Sequence, residues 1–263
     1  MTARSVHGGS RPVVRDAALS AYRMWRLFIE PERLKMRRTV RTWISECPSG
    51  ATVVEVGGGT SLLKPVIERA VARVHYVSGD IAPTNRSDLV FDATALPVGS
   101  ERVDAVLAVE VLEHLEHPQA MLDEIARVLR PGGMAVITVP FMFGVHDFRD
   151  YHRFTPLGFS TMLARCELTL EETVQRGGTF VSASTLIRTL VLNRIVGEPV
   201  GWRAQGTRKK ILWLIATVVL TPWVVVTLSA MAVDAVVDRR SKSPPGYFFR
   251  CRKAGSGRGP TDS

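Results

Sequence analysis

With 263 residues the chain is long enough to bury a full core, and at this length an α/β sheet domain forms one unit. Its three cysteines, Cys47, Cys166 and Cys251, include no C-x-x-C pair, so the spacing suggests neither a disulfide framework nor a metal site, and a reducing compartment fits best. The formal charge of +9 is divided unevenly: residues 1–50 carry ten Lys/Arg against four Asp/Glu, residues 181–263 thirteen against four, and residues 51–180 eleven against seventeen. Basic flanks around an acidic middle favour anionic partners, nucleic acid or lipid, at the flanks rather than at the centre.

Residues 1–15 are polar and Arg-rich without an apolar run, and read as a disordered leader rather than a secretory signal. In the N-terminal region 16–50 apolar residues recur at helical spacing (Leu19, Tyr22, Met24, Trp25 and Phe28, then Leu34, Met36, Val40, Trp43 and Ile44), and Pro31 divides two helices. Arg33, Lys35, Arg37, Arg38 and Arg41 make the second helix strongly basic, either as a solvated face or as an anion-binding surface. Thr52 to Val56 is a β-branched run that meets the turn Gly57-Gly58-Gly59 and then a helical stretch, Leu62 to Ala72. Strands Val74 to Val77, Asp88 to Phe91, Asp104 to Val109 and Met134 to Val139 follow, with a helix Pro118 to Leu129 that Pro131-Gly132-Gly133 is read to stop. A helix Pro156 to Arg165, a strand Leu168 to Val174, a helix Ser182 to Val196 and a last strand at 246–253 come next, and the Gly/Ser/Pro-rich tail 254–263 reads as disordered. Repeated βαβ units at 51–180 predict an α/β fold, a mostly parallel sheet with helices on both faces.

The helical region 181–245 contains an apolar block, Ile211 to Val233, without a charged residue. As one helix it would be about 35 Å long, enough for a bilayer core of about 30 Å. Arg208, Lys209 and Lys210 precede it and Arg239, Arg240 and Lys242 follow, so the positive-inside bias holds both ends on the cytoplasmic side. Pro222 near its centre favours a hairpin or in-plane anchor, ahead of a single transmembrane span, with a buried soluble helix pair third.

In an open parallel sheet, ligands bind beyond the carboxyl ends of the strands. A glycine turn after the first strand lets backbone approach a ligand, and Asp80, with Ile81 beside it, stands about 20 residues on, where an acid accepts ribose hydroxyls. Leu62 occupies the third glycine position of the G-x-G-x-x-G fingerprint, so the pyrophosphate signature is incomplete; S-adenosylmethionine, which has no pyrophosphate, needs instead a close glycine turn, an acid for its ribose and a polar cap for its adenine. Glu55-Val56-Gly57-Gly58-Gly59-Thr60, Asp80, Asp92-Ala93-Thr94-Ala95-Leu96-Pro97, Val111-Leu112-Glu113-His114 and Arg127-Val128-Leu129-Arg130-Pro131-Gly132-Gly133 together resemble the ordered signature of class I methyltransferases, in the type 11 methyltransferase domain family. The resemblance covers about residues 51–140 and implies a Rossmann-like seven-stranded sheet, here with a hydrophobic helical insertion before the last strand. It implies that Glu55 anchors the glycine loop, that Gly57, Gly58 and Gly59 pass the methionine part, that Asp80 binds the ribose, and that Asp92 with Ala93 meets the adenine. Ser61 departs from the family, where a further glycine is common.

Methyl transfer requires alignment, exclusion of water and, for a hydroxyl acceptor, a base. Glu110 and His114 follow the fourth strand, Glu110 being assigned to the cofactor, while His146, Asp150, Tyr151 and His152 lie in an aromatic loop suited to a lid. His146 is the first candidate base; the competing reading is that His114 packs a helix and Asp150 pairs with Arg153 to hold the loop. The expectation is a methyltransferase at the cytoplasmic side of an anionic membrane, with a small or lipid-linked acceptor and no nucleic acid. Alternatives are a catalytically silent cofactor-binding scaffold and, drawing on the charge, a nucleic-acid methyltransferase.

Overall fold

The computed structural model describes residues 32–58, 63–82, 87–196, 215 and 222–255. Along the chain these form α1 (Glu32–Ile44), β1 (Thr52–Val56), α2 (Lys64–Ala70), β2 (His75–Asp80), β3 (Leu89–Val90) and β4 (Val103–Val109). A 3-10 turn (Leu112–His114) follows, then α3 (Pro118–Val128), β5 (Leu129–Pro140), α4 (Pro156–Leu163), β6 (Leu168–Gln175), α5 (Thr179–Val196), α6 (Trp223–Val237) and β7 (Gly246–Lys253). The strands make a seven-stranded sheet in the order β3-β2-β1-β4-β5-β7-β6. All pairings are parallel except those of β7, which inserts antiparallel between β5 and β6. The Rossmann-like sheet expected from the sequence is the one observed.

Side-chain alternation divides the core into two layers. Val54, Val106, Ala108, Ile137 and Phe249 face one layer, with Met121, Leu122 and Ile125 of α3. Val53, Ala105, Leu107, Val136 and Phe248 face the other, with Val40, Trp43 and Ile44 of α1. Phe248 and Phe249 thus lie on opposite faces, and Phe249 stacks on Phe159 of α4 at 4.1 Å between centroids.

Several borders differ from the sequence reading, two of them with consequences for packing. Helix α3 ends at Val128 and β5 begins at once, so Pro131-Gly132-Gly133 lie inside the strand rather than at the helix stop. The register against β4 passes from Val103↔Leu129 to Ala105↔Met134, a bulge in which Gly132 adopts φ +77. Helix α5 starts at Thr179, ahead of the expected Ser182. Its first turn gains its amide partners from a distant helix: the buried Asp234 carboxylate accepts from the N–H groups of Gly178, Phe180 and Val181 at 2.9, 3.0 and 3.0 Å. Asp238 accepts from Thr179 at 2.9 Å. A carboxylate so placed satisfies donors that an isolated helix leaves bare and complements its dipole.

Within the apolar block, helix α6 starts only after Pro222 and packs on α5 through Val224 and Thr227, with Trp223 Nε1 donating to Ser184 Oγ at 2.9 Å. Its 15 residues extend about 22 Å, short of a bilayer core of about 30 Å. Among the described residues, no helix is long and apolar enough to cross a membrane. Residues 211–214 and 216–221 of the block lie outside the described residues, as do the leader, the first N-terminal helix expected at 16–30, and most of the tail.

Replacing Asp234 by Ala strips three amides of their acceptor. We expect the change to cost about 2 kcal/mol in urea-induced unfolding; a loss below about 0.5 kcal/mol would show that the cap contributes little.

Candidate functional site

The strand order runs outward in both directions from the adjacent pair β1 and β4, so their carboxyl ends diverge and open a crevice. The chain leaving β1 turns at Gly57, whose φ of +73 lies in the left-handed region. A Cβ at this position would collide with the Val111 side chain, and one on Gly58 would lie 2.9 Å from Ser78 Cβ and 3.4 Å from the Glu55 carboxyl. The turn therefore admits backbone only. Glu55 is buried and accepts a hydrogen bond from the Tyr76 hydroxyl, which fixes it below the turn. Gly59, Thr60 and Ser61 lie outside the described residues.

At the end of β2, Asp80 accepts the Ala82 N–H at 2.9 Å, and Ile81 is 62% exposed, an apolar side chain beside the crevice rim. Asp92 accepts both the N–H and the hydroxyl of Thr94 at 2.8 Å, and these bonds hold its carboxyl below the usual range. Ala93 is buried next to it. Gly79 leaves no room for a side chain because Phe91 packs flat against it, drawing the Asp92 segment onto the end of β2.

The other side of the crevice is built by the turn after β4 and the loop after β5. Glu110 takes φ +55, an uncommon conformation for a residue with a side chain. Its N–H donates to the Thr138 carbonyl at 3.1 Å, and its carboxylate lies 3.0 Å from Arg176 and accepts from the Thr138 hydroxyl at 3.1 Å. Burial raises its affinity for a proton, but the Arg176 charge and hydrogen bond, with Thr138 and Arg33, outweigh that and hold it ionised. Glu113 is fully buried, and neither carboxyl oxygen has a hydrogen-bond partner among the described residues. Burial, with the Glu110 charge second, pushes its carboxyl up to about 9.

His114 Nδ1 lies 2.8 Å from the Arg149 carbonyl, and its ring meets His146 edge-on at 5.1 Å between centroids. His146 Nδ1 stands 3.0 Å from Asp150 Oδ2, though without the alignment of a hydrogen bond. The Asp150 side chain is covered: burial raises its carboxyl, yet Arg153 and the His146 amide lower it further, to about 2. Arg153 also donates to the carbonyls of Phe143 and Gly144, so the Asp150–Arg153 pair ties the loop together. The structure therefore brings His114, His146 and Asp150 together, with Asp150 in the loop-holding position. Tyr151 is not drawn in: its ring is 50% exposed against His152, and only its N–H reaches inward, to the Glu113 carbonyl at 2.9 Å.

Residues 54–137 match the methyltransferase domain family. The match runs from β1 into β5, and the sheet as a whole has the Rossmann-like methyltransferase fold. A ubiquinone biosynthesis O-methyltransferase from Xanthomonas oryzae pv. oryzae (strain PXO99A) is 28% identical to this chain, across 47% of the chain and 65% of the relative, so the chain spans less than two thirds of that relative's length. The Haemonchus contortus phosphoethanolamine N-methyltransferase 2, solved with phosphomonomethylethanolamine and S-adenosylhomocysteine, superposes with a TM-score of 0.53 at 12% identity, over 84% of this chain and 52% of its own. The [4+2]-cyclase SpnF superposes with a TM-score of 0.52 at 14% identity, over 82% and 80%. At these identities the two structures share the fold with the methyltransferase domain.

Sequence reasoning placed Glu113 in a motif of the methyltransferase domain without giving it a role, and passed over Arg176 and Thr138. Glu113 carries a local signal, an acid between apolar Leu112 and His114 just past a strand end, whereas Arg176 reaches Glu110 only through the β5–β7–β6 pairing.

The raised Glu113 carboxyl predicts a pH dependence. Between the ordinary glutamate range and about 9, the folded protein holds a proton that the unfolded chain has released, so stability falls as pH rises through that window and levels off above it. Glu113→Gln should flatten this fall in thermal melts taken from about pH 5 to about pH 9; equal slopes for the two proteins would refute the assignment.

Proposed function

We propose that the chain is an S-adenosylmethionine-dependent methyltransferase acting on a small or lipid-linked acceptor at the cytoplasmic face of a membrane. The observation that carries the reading is the backbone-only turn at Gly57 and Gly58, set between strand ends that present Glu55, Asp80 and Asp92. A carboxylate at the end of β2 suits ribose hydroxyls, and the apolar Ile81 and the segment Asp92-Ala93 suit an adenine ring. Bound S-adenosylmethionine supplies an electrophilic methyl on a sulfonium sulfur. The chain's task is to hold an acceptor in line with it at about 3–3.5 Å and to exclude water. His146, with His114 beside it, is placed to take a proton from an acceptor hydroxyl, and Asp150, which accepts the His146 amide, holds that part of the loop.

Support for a membrane setting comes from the α5–α6 pair. Leu186, Ile187 and Leu190 of α5 and Val225, Leu228, Val236 and Val237 of α6 are exposed apolar side chains. The exposed Arg239, Arg240 and Lys242 follow directly. Such a face suits an anionic bilayer surface better than a nucleic acid. A second reading, a cofactor-binding protein without methyl transfer, is favoured by the shared fold of a [4+2]-cyclase.

Transfer of labelled methyl from S-adenosylmethionine into membrane lipid extracts separates the two. Wild type should label an acceptor, and Asp80→Ala should weaken cofactor binding by about tenfold to a hundredfold through lost charged hydrogen bonds. Cofactor uptake without any labelled product would favour the silent protein. In a vesicle flotation assay the full chain should rise with phosphatidylserine-rich vesicles and remain below with purely zwitterionic ones, and Leu190→Asp combined with Leu228→Asp should abolish the rise; indifference to both lipid charge and these changes would remove the membrane from the proposal.

A further inference from the structure

We propose that Glu113, His114 and His146 form a binding site for a divalent transition-metal ion of the zinc type, on the acceptor side of the crevice. The three residues come from two segments, the turn after β4 and the loop after β5, and one ligand atom from each lies within 4.8 Å of the other two. The Glu113 carboxyl supplies the independent observation. It is fully buried and both of its oxygens lack a hydrogen-bond partner among the described residues. A buried carboxyl without partners is costly, and the cost is removed by a proton or by a cation.

The surroundings favour the cation. A metal-bound imidazole directs one nitrogen to the ion and the other to a carbonyl or carboxylate that fixes the ring. His114 has that outer partner, its Nδ1 lying 2.8 Å from the Arg149 carbonyl, and His146 Nδ1 stands 3.0 Å from the Asp150 carboxylate, within reach of the same role after a small turn of the ring. Asp150 is in turn held by Arg153. In each ring Nε2 is then the nitrogen left for an ion, and His114 Nε2 stands 3.7 Å from Glu113 Oε1. The two nearest guanidinium groups do not oppose a cation unbalanced, because Arg176 is paired with Glu110 and Arg153 with Asp150. With Glu113 ionised, the five groups sum to one negative charge.

Two imidazoles and one carboxylate form a donor set that zinc accepts while keeping a position open. An ion there would take a hydroxyl or carboxylate oxygen of the acceptor and lower the proton affinity of a bound hydroxyl, replacing His146 as the group that eases loss of that proton. Only this last step rests on the methyl-transfer reading; metal binding stands apart from it.

The test uses the untagged full chain, stripped with chelator and titrated with Zn²⁺ by calorimetry and with Co²⁺ by visible absorption. Wild type should take up one equivalent of Zn²⁺ and give a Co²⁺ spectrum with ligand-field bands. Glu113→Gln and His146→Ala should each weaken uptake by tenfold or more, and Asp150→Asn, which acts through His146, by about 10–100-fold. His75→Ala, on the exposed start of β2, should leave uptake unchanged. If Glu113→Gln does not fold by circular dichroism, His146→Ala reads the same site, its side chain being 27% exposed. Absence of stoichiometric uptake by wild type, or unchanged uptake in a His114→Ala/His146→Ala double variant, overturns the proposal. Calorimetry of S-adenosylmethionine with the metal-free chain, run on the same samples, reports separately on the cofactor reading.

Discussion

At the end of β1 the chain must turn in a space that Val111, on the continuation of β4, already fills. No side chain fits there, and the backbone accepts a left-handed conformation at Gly57 that other residues adopt only under strain. The functional geometry follows from that exclusion. Because the turn presents backbone alone, a ligand can lie against it, and because β1 and β4 are the strands from which the sheet runs outward in both directions, the walls on either side belong to different connections. One wall carries Asp80 and Asp92. The other carries Glu110, Glu113 and the two histidines. The Gly79–Phe91 contact tightens the first wall, and the Glu110–Arg176 and Asp150–Arg153 pairs stiffen the second.

The parts legible in the sequence are those governed by local periodicity. Thr52 to Val56, Val103 to Val109 and Gly246 to Lys253 are β-rich runs that could scarcely do otherwise, and the apolar spacing of Met121, Leu122, Ile125 and Val128 matches the face that α3 buries. Asp80 and Asp92 stood out in the sequence because each lies at or just past a strand end. The remainder depends on partners far along the chain. Nothing near Thr179 announces that α5 begins there, since its cap is Asp234, and nothing near Pro131 reveals a bulge that is measured only against β4. Glu113 was visible as an acid but not as a buried one whose oxygens lack a hydrogen-bond partner among the described residues. The Glu113–His114–His146 cluster follows no ligand spacing, because folding rather than sequence distance brings the loop after β5 onto the turn after β4.

The α5–α6 pair shows what hydropathy alone leaves out of an apolar segment. Counted by composition, the block ending at Val233 is long enough for a bilayer, yet its described half is a helix that begins at Pro222 and contains one face made of Val224, Thr227 and the buried Asp234. That face is joined to α5 by hydrogen bonds through Ser184, Trp223 and the Asp234 cap. A polar seam of this kind commits the helix to a protein neighbour along one side while leaving valines and leucines on the other.

The antiparallel insertion of β7 has a bearing on how the chain is made. Strand β6 pairs with β7 in the sheet, and the outer flank of β5 is closed by the same strand, which follows every other strand in the chain. During synthesis the inner strands can assemble as they emerge, but the β5 edge stays open, with its amides and carbonyls unpaired, until residues 246–253 have left the ribosome. The α5 and α6 segments appear during that interval. The sheet therefore cannot close before β7 is available, and a chain lacking that strand would present the β5 edge unpaired.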